Sequence, residues 1–212
     1  MIRYIYAEDL KHHETLARTM FRDRAQQFRT RLKWDVSVDA TGFEIDQYDE
    51  MNPLYVIWEM ENGTHGGSMR LLPTTGDTMI NDHFTHLTDG VKIVSPLIWE
   101  CTRFCLSPRH EKEAASIAAS LLVAGCEMGL QVGLTDSVGV FDARMVRIYK
   151  RIGWEPTIVG TDGASKDRIS VGLWEVSEAA KARICAQAGL SLATPTAWYE
   201  ASFHAQAREL AA

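Results

Sequence analysis

The sequence is short of the features that would mark a membrane, secreted, metal-bound or nucleic-acid-binding protein. Its four cysteines, Cys101, Cys105, Cys126 and Cys185, form no C-x-x-C pair, and two of them stand in apolar surroundings. They read as reduced structural thiols of a cytoplasmic protein, with no metal expected. No apolar run reaches the roughly 20 residues that span a bilayer, so no membrane span is expected. The opening stretch MIRYIYAEDLKHHE lacks the basic-then-apolar order of a secretory signal. Positive charge is not in excess: 22 Lys and Arg face 28 Asp and Glu, and the net −6 speaks against binding nucleic acid through bulk electrostatics. Low-complexity tracts, internal repeats and Pro/Ser-rich linkers are missing too. Residues 1–212 are therefore expected to form a single domain with a helical C-terminal extension over about 177–212.

What is present is ordinary globular chemistry, 46% hydrophobic and 24% charged in 212 residues, enough to bury a sizeable core. IRYIYA (2–7) reads as a first strand. Residues 8–30 are helix-permitting, with Leu10, Leu16, Ala17, Met20, Phe21 and Ala25 in partial helical periodicity. Trp34 to Val38 is expected to be extended. LYVIWEME (54–61) and SMRLLP (68–73) read as strands joined through the NGTHGG turn, and NDHFTHL as a short helical turn capped by Asn81. LIWECTRFCL (97–106) is a strand stopped by Ser107-Pro108. Residues 111–130 read as a helix with acids in its first turn and Gly129 at its end. QVGLTDSV reads as a strand, DARMVRIYKRIG (142–153) as a helix closed by Gly153. Strands near 154–160 and 169–176 precede one or two C-terminal helices. Strands with interspersed helices predict an α/β (α+β) class, a mixed sheet with helices on its faces.

Several charges sit where burial is expected. WECTRF holds Glu100 and Arg103 inside an apolar strand, and a buried charge needs a partner. Their odd spacing points them to opposite faces of a regular strand; a β-bulge between them brings both to one side and splays the strand from its neighbour. Arg70 in SMRLLPT and Arg24 in RAQQF pose the same problem. Asp46 and Asp49 stand in FEIDQYDEM, just ahead of the strand at Leu54. Phe28, Trp34 and Phe84 are apolar companions. Taken singly, each of these is ordinary structure: a solvated acidic loop, a structural ion pair, a core aromatic. Taken together they describe a dry pocket with both signs of charge, suited to a zwitterionic ligand. Carboxylates and aromatic faces hold a cation, and arginine forks hold a carboxylate.

The order Arg24-x3-Phe28-x5-Trp34, Glu44-x-Asp46-x2-Asp49, Arg70-Leu71-Leu72-Pro73-Thr74, Phe84 and Glu100-x2-Arg103 resembles the acyl-homoserine-lactone synthases, the LuxI-type autoinducer synthases. The resemblance runs from about residue 20 to 155 and includes the late MVRIYKRIGW. It implies a GNAT-like mixed β-sheet flanked by helices, with a splayed, bulged central strand. It also implies quorum-sensing signal synthesis: S-adenosyl-L-methionine and an acyl-acyl carrier protein give an N-acyl-L-homoserine lactone, methylthioadenosine and free carrier protein. S-adenosyl-L-methionine is then a substrate, and no cofactor is expected. Glu100 and Arg103 are the implied catalytic residues, with Glu100 as base. Arg24, Phe28, Trp34, Asp46, Asp49, Arg70 and Phe84 are the implied substrate-binding residues.

Acyl carrier proteins are acidic, so an acidic enzyme needs a local basic patch to dock one. Arg144, Arg147 and Arg151 fall at helical spacing, with Lys150 nearby, opposite an expected buried face of Met145, Ile148, Tyr149 and Ile152. The acyl pocket is expected between the splayed strands, lined by Trp99, Phe104, Phe141 and Met145. Phe141 stands where many relatives that prefer 3-oxo chains carry Thr, which favours an unsubstituted or 3-hydroxy chain. SPRHEKE, ahead of the 111–129 helix, is a poor pyrophosphate cradle, favouring a carrier-protein donor over acyl-CoA. Two rivals remain at this point. An ordinary GNAT acetyltransferase would not need the Trp34, Asp46, Asp49 and Arg70 set, and a non-catalytic S-adenosyl-L-methionine sensor would not need Glu100 and Arg103.

Overall fold

The computed structural model describes residues 1–164 and 168–209; the last three residues of the expected C-terminal extension, 210–212, lie outside the described residues. In chain order the elements are β1 (Ile2–Tyr6), α1 (Glu14–Arg24), β2 (Leu54–Glu59), β3 (His65–Pro73), α2 (Met79–His83) and β4 (Ile98–Leu106). Then come α3 (Ala114–Gln131), β5 (Asp136–Asp142), α4 (Met145–Ile152), β6 (Thr157–Asp162), β7 (Ile169–Glu175), α5 (Glu178–Ala188) and α6 (Ala193–Glu209). The seven strands make a mixed sheet in the order β1-β2-β3-β4-β5-β7-β6, the α/β arrangement that the sequence predicts. Two compact units divide the chain: one holds Met1–Arg70, Arg103–Ala124 and the chain from Pro195, the other Leu71–Thr102 and Gly125–Thr194.

In the first unit β1 and β2 pair antiparallel, from Ile2 opposite Trp58 to Tyr6 opposite Leu54. Leu16 and Met20, four apart on α1, bury against Ile5, Leu10, Tyr55 and Ile57. Tyr4 donates its hydroxyl to the Ala124 carbonyl at 2.9 Å and meets the Tyr199 ring of α6 edge-on. Beyond Arg24 the helix widens into a π turn over Ala25–Arg31, where Leu32 N–H reaches back to the Gln27 carbonyl at 3.0 Å. Such turns interrupt α-helices mostly at functional sites. Lys33 follows in the left-handed region (φ 60), and Trp34 N–H then bonds the Phe28 carbonyl at 2.9 Å.

In the second unit β4 pairs in parallel with β5 where Ile98–Glu100 face Asp136–Val138. β5 itself runs on, antiparallel to β7, as far as Asp142 opposite Ile169. Ile80, Leu87, Val138 and Val171 form its buried core. Phe141, Tyr149 and Trp174 stack edge to face, with centroids 4.9 to 5.4 Å apart, and the Trp174 indole donates to the Trp154 carbonyl.

β4 carries the irregularity expected from its charges. Burial alternates at Glu100 and Thr102, then skips to Cys105, so the face parity shifts by one residue. Arg103 sits at that shift with φ 53, a left-handed backbone inside a strand, which fits a bulge there.

Several expected boundaries move. β5 begins at Asp136 because Gly133 turns the chain with φ 75 first, so Gln131 to Thr135 is no strand. α3 begins at Ala114, leaving Glu111 and Glu113 ahead of it rather than in its first turn. It passes through Gly129, where an added Cβ would lie 2.9 Å from a Val176 methyl, so this glycine serves helix packing and not termination. α3 is, among the described residues, a helix long and apolar enough to cross a membrane, but 67% of that stretch is buried inside the protein, as in a core helix. Asn81 lies within α2 and ties the chain at Ile93 through both its amide atoms (2.8 and 2.9 Å); the residue at the cap is Thr78. Trp34 to Val38 makes only an isolated bridge, Val38 to Glu44.

Candidate active site

The acidic stretch after Phe43 folds through a capping box. Asp46 accepts from the Tyr48 amide at 3.0 Å, while Asp49 accepts from the Asp46 amide at 2.9 Å, starting the short turn Gln47–Glu50. D-x-x-D is the acidic form of that signature. It aims both carboxylates inward, where the arginines of α1, β3 and β4 meet them.

Arg24 is 1% exposed and uses its whole fork: Nε donates to Glu44 at 2.6 Å, and Nη1 and Nη2 each donate to Asp49 at 2.9 Å. Arg70, on β3, donates from Nη1 to Asp46 (2.5 Å) and Asp49 (2.8 Å), and from Nη2 to Asp46 at 3.1 Å. Arg103 donates to Glu44 at 3.0 Å and reaches Asp46 at 2.6 Å. The Tyr55 hydroxyl donates to Asp49 at 2.5 Å. Three guanidinium groups thus face three carboxylates, and the network is neutral in sum. Burial opposes ionisation of Asp49, but the Arg24 charge and hydrogen bonds, joined by Arg70 and Tyr55, overcome it and hold this carboxyl well below the usual range. Burial and the Asp49 charge push the Tyr55 phenol far up, so it remains a donor.

The network has a graded edge. The Arg24 and Arg70 side chains are 1% and 0% exposed, those of Arg103 and Asp46 8% and 19%. Above Arg103 the Phe28 ring lies 5.5 Å from the guanidinium carbon, and Trp34 stacks on Phe28 with centroids 5.1 Å apart and planes 6° from parallel. Trp34 is 44% exposed. The first unit therefore gathers Arg24, Phe28, Trp34, Asp46, Asp49, Arg70 and Arg103 as one layered array.

Glu100 and Phe84 belong to the second unit. Glu100 is buried, and its two oxygens accept the Met79 and Ile80 amides of α2 at 3.0 and 2.6 Å. Phe84 is half-buried at the end of that helix. Of the residues expected to line an acyl pocket, Trp99 and Met145 are half-buried in this unit, Phe141 is part of its aromatic core, and Phe104 is half-buried in the first unit. On α4, Arg147, Lys150 and Arg151 are exposed. Arg144 precedes the helix and clasps Asp142, with Nη2 at 2.5 Å and Nε at 3.1 Å. Ile148 is 38% exposed, not part of a buried face; Tyr149 and Ile152 are buried.

Sequence reasoning gave no task to two features. Glu44, fully buried, is the carboxylate joining Arg24 to Arg103. Its place in the motif was visible; its burial depends on the chain folding back until Glu44 N–H meets the Phe21 carbonyl. A second buried polar group, Asp23 with His65 (2.7 Å), Ser68 (His65 Nε2 to Oγ, 3.0 Å) and a bidentate Arg109, ties α1 to β3. With His65 and Ser68 at 0% and 2% exposure, this Asp-His-Ser order is a structural clamp and not a nucleophile in reach of a substrate.

The mixed sheet, the strand with its bulge and the short β4–β5 ladder define an N-acyltransferase fold of the GNAT kind. Solved acetyl- and acyltransferases share it more distantly, with TM-scores of 0.54 and 0.52. The family model "Autoinducer synthase" matches residues 8–184, and the chain belongs to that family. An acyl-homoserine-lactone synthase of Rhizobium etli is 41% identical over 181 residues, 84% of this chain and 85% of that protein. The fold also matches two solved acyl-homoserine-lactone synthases described as CoA-dependent. MesI has TM-score 0.79 at 22% identity, covering 90% of this chain and 96% of that one. BjaI, solved with SAM and isopentyl-CoA, has TM-score 0.78 at 23% identity, covering 90% of each chain. The enzyme is an acyl-homoserine-lactone synthase.

Proposed function

We propose that the chain acylates the amino group of S-adenosyl-L-methionine from an acyl-acyl carrier protein and closes the product to an N-acyl-L-homoserine lactone. The observation that carries this reading is the neutral six-residue ion network whose exposed edge, Arg103 with Asp46, lies beside the open Trp34–Phe28 stack. A zwitterionic sulfonium needs that combination: a guanidinium for its carboxylate, a carboxylate and aromatic faces for its positive charge. Arg24 and Arg70 hold the acids in place, and Arg103, with the greater exposure, receives the substrate carboxylate. The BjaI complex with SAM supports the choice of substrate by kinship.

The substrate ammonium first gives one proton to Glu100, directly or through a water. The amine attacks the thioester carbonyl, a C–N bond forms, the C–S bond breaks, and the second nitrogen proton goes to the departing thiolate. The carboxylate oxygen then attacks its own γ-carbon, and the sulfonium leaves as neutral methylthioadenosine. This closure is intramolecular, so holding the substrate folded supplies most of the rate. Glu100→Gln is expected to lower kcat about a hundredfold. No metal or cofactor takes part in these steps, and we place the enzyme in the cytoplasm.

The donor has a second reading, acyl-CoA, favoured by the description of MesI and BjaI as CoA-dependent. Against it stands Arg109, which precedes α3 and whose fork is occupied by Asp23. Mass spectrometry of culture extract from a heterologous host expressing the chain tests the reaction and gives the acyl length. Purified enzyme offered matched acyl-carrier protein and acyl-CoA then ranks the donors. Absence of any acyl-homoserine lactone in both assays rejects the proposal.

A further inference from the structure

We infer that Glu100 is a positioning residue as well as the proton acceptor: its carboxylate caps α2 and so fixes the place of Phe84. The inference rests on the reaction proposed above for its kinetic consequence, but not for the cap itself. α2 has only five residues, too few to sustain a helix alone, and its first amides need acceptors. Thr78 stands at the N-cap, the usual place for a hydroxyl acceptor, yet its buried side chain makes no cap bond. A residue 20 positions away does the work instead: Glu100 Oε1 accepts the Ile80 amide at 2.6 Å and Oε2 the Met79 amide at 3.0 Å.

The grip passes directly to Phe84, whose N–H donates to the carbonyl of the same Ile80 at 3.1 Å. The Ile80 side chain is buried with Val138 and Val171, and Phe84 packs against that cluster. At the other end of the linkage, Glu100 faces Val138 in the β4–β5 ladder. The carboxylate therefore joins the segment bearing a substrate-binding aromatic to that ladder. A carboxylate oxygen can accept more than one hydrogen bond, so capping and proton transfer are compatible. Two amides fixing the carboxylate also remove its rotational freedom before the substrate arrives, which is preorganisation for the proton transfer.

The two roles separate by changing the amide and leaving the acid. Met79→Pro deletes one donor at the first helical position, where proline is tolerated, and the extended Thr78 (φ −142, ψ 151) suits a following proline. Met79→Ala controls for the lost side chain. Relative to Met79→Ala, Met79→Pro is expected to raise KM for S-adenosyl-L-methionine about tenfold, the loss of one charge-assisted hydrogen bond, with an unchanged pH profile of kcat. Amide exchange at Ile80 and Phe84 in the resting enzyme should quicken in Met79→Pro, and at Met79 as well in Glu100→Gln. Glu100→Gln should raise KM in addition to lowering kcat. Equal KM and equal exchange in Met79→Pro and Met79→Ala, or a Glu100→Gln enzyme impaired in kcat alone with its amides still protected, overturns the positioning role. A wild-type enzyme that forms no lactone sinks the reaction reading, while the exchange rates still decide the cap.

Discussion

Replacing Arg24 by methionine would leave Glu44 and Asp49 with no partner on their inner side, in a place where neither can reach water. Removing one member of a buried ion network is far costlier than never having had it, so the loss is expected to be about 3–5 kcal/mol in urea unfolding. A loss below 1 kcal/mol would mean that water enters the network. A second residue-scale prediction concerns pH. Burial lowers the pKa of His65 from its ordinary value, although Asp23 works in the opposite direction, so the folded protein keeps the ring neutral where the unfolded chain would protonate it. The unfolded state then binds the extra proton, and stability falls as pH drops below about 6.5. For Asp49 the folded pKa is depressed instead, so its contribution is complete above about 3.9 and is lost only below that. Unfolding free energy should therefore slope between about pH 6.5 and 4 in the wild type and flatten over that window in His65→Gln; identical slopes would remove His65 as the cause. The charged residues were legible as candidates because each stands among apolar neighbours that must be buried. Glu44 was not, because in the chain it is one more acid in an acidic stretch, and only a backbone contact with Phe21 encloses it.

At the scale of elements, β6 meets the turn over Thr85–Thr88 through a glycine. A Cβ on Gly160 would stand 1.5 Å from the Leu87 carbonyl oxygen, inside covalent reach, so the strand or the turn must move. Gly160→Ala is expected to cost about 3 kcal/mol and to lower Tm by roughly 10 °C, whereas Val159→Ala, one residue away and 46% exposed, should change little. Equal Tm for the two variants would show that the approach is not fixed. The strand at Leu54–Glu59 was legible from its run of Tyr, Val, Ile and Trp, and its first four residues are buried without alternation. An irregularity in β4 was expected from the odd spacing of its two charges, and it appears as the left-handed backbone of Arg103 and the shift in burial parity around it. The start of α2 was not, because its cap comes from β4, and no local pattern announces an acceptor 20 residues downstream. The end of α3 failed for a related reason: Gly129 looks like a stop, but its missing side chain makes room for Val176.

For the whole molecule, the net charge of −6 sets a problem for the carrier-protein donor proposed above. Two acidic proteins repel at long range, so productive encounter needs a patch of opposite sign that acts within about 10 Å, the reach of an exposed charge at ordinary salt. α4 offers one. Arg147, Lys150 and Arg151 are exposed on it, while Tyr149 and Ile152 hold it to the body of its unit. Arg144 contributes less, since Asp142 already neutralises it. Reversing Arg147 and Arg151 to Glu is expected to raise KM for the acyl-carrier protein about tenfold, mainly through slower association, and to leave kcat nearly unchanged. Added salt separates this from a folding defect: it should raise the wild-type KM and leave that of the double variant flat or falling, because salt screens attraction in one and repulsion in the other. Acyl-CoA offers no extended acidic surface for the helix to grip, so its KM should move far less than that of the carrier-bound donor. An unchanged KM for the carrier protein at low salt would reject α4 as the docking face, and a KM for acyl-CoA that rises as steeply would mean that these arginines hold the donor's phosphates instead.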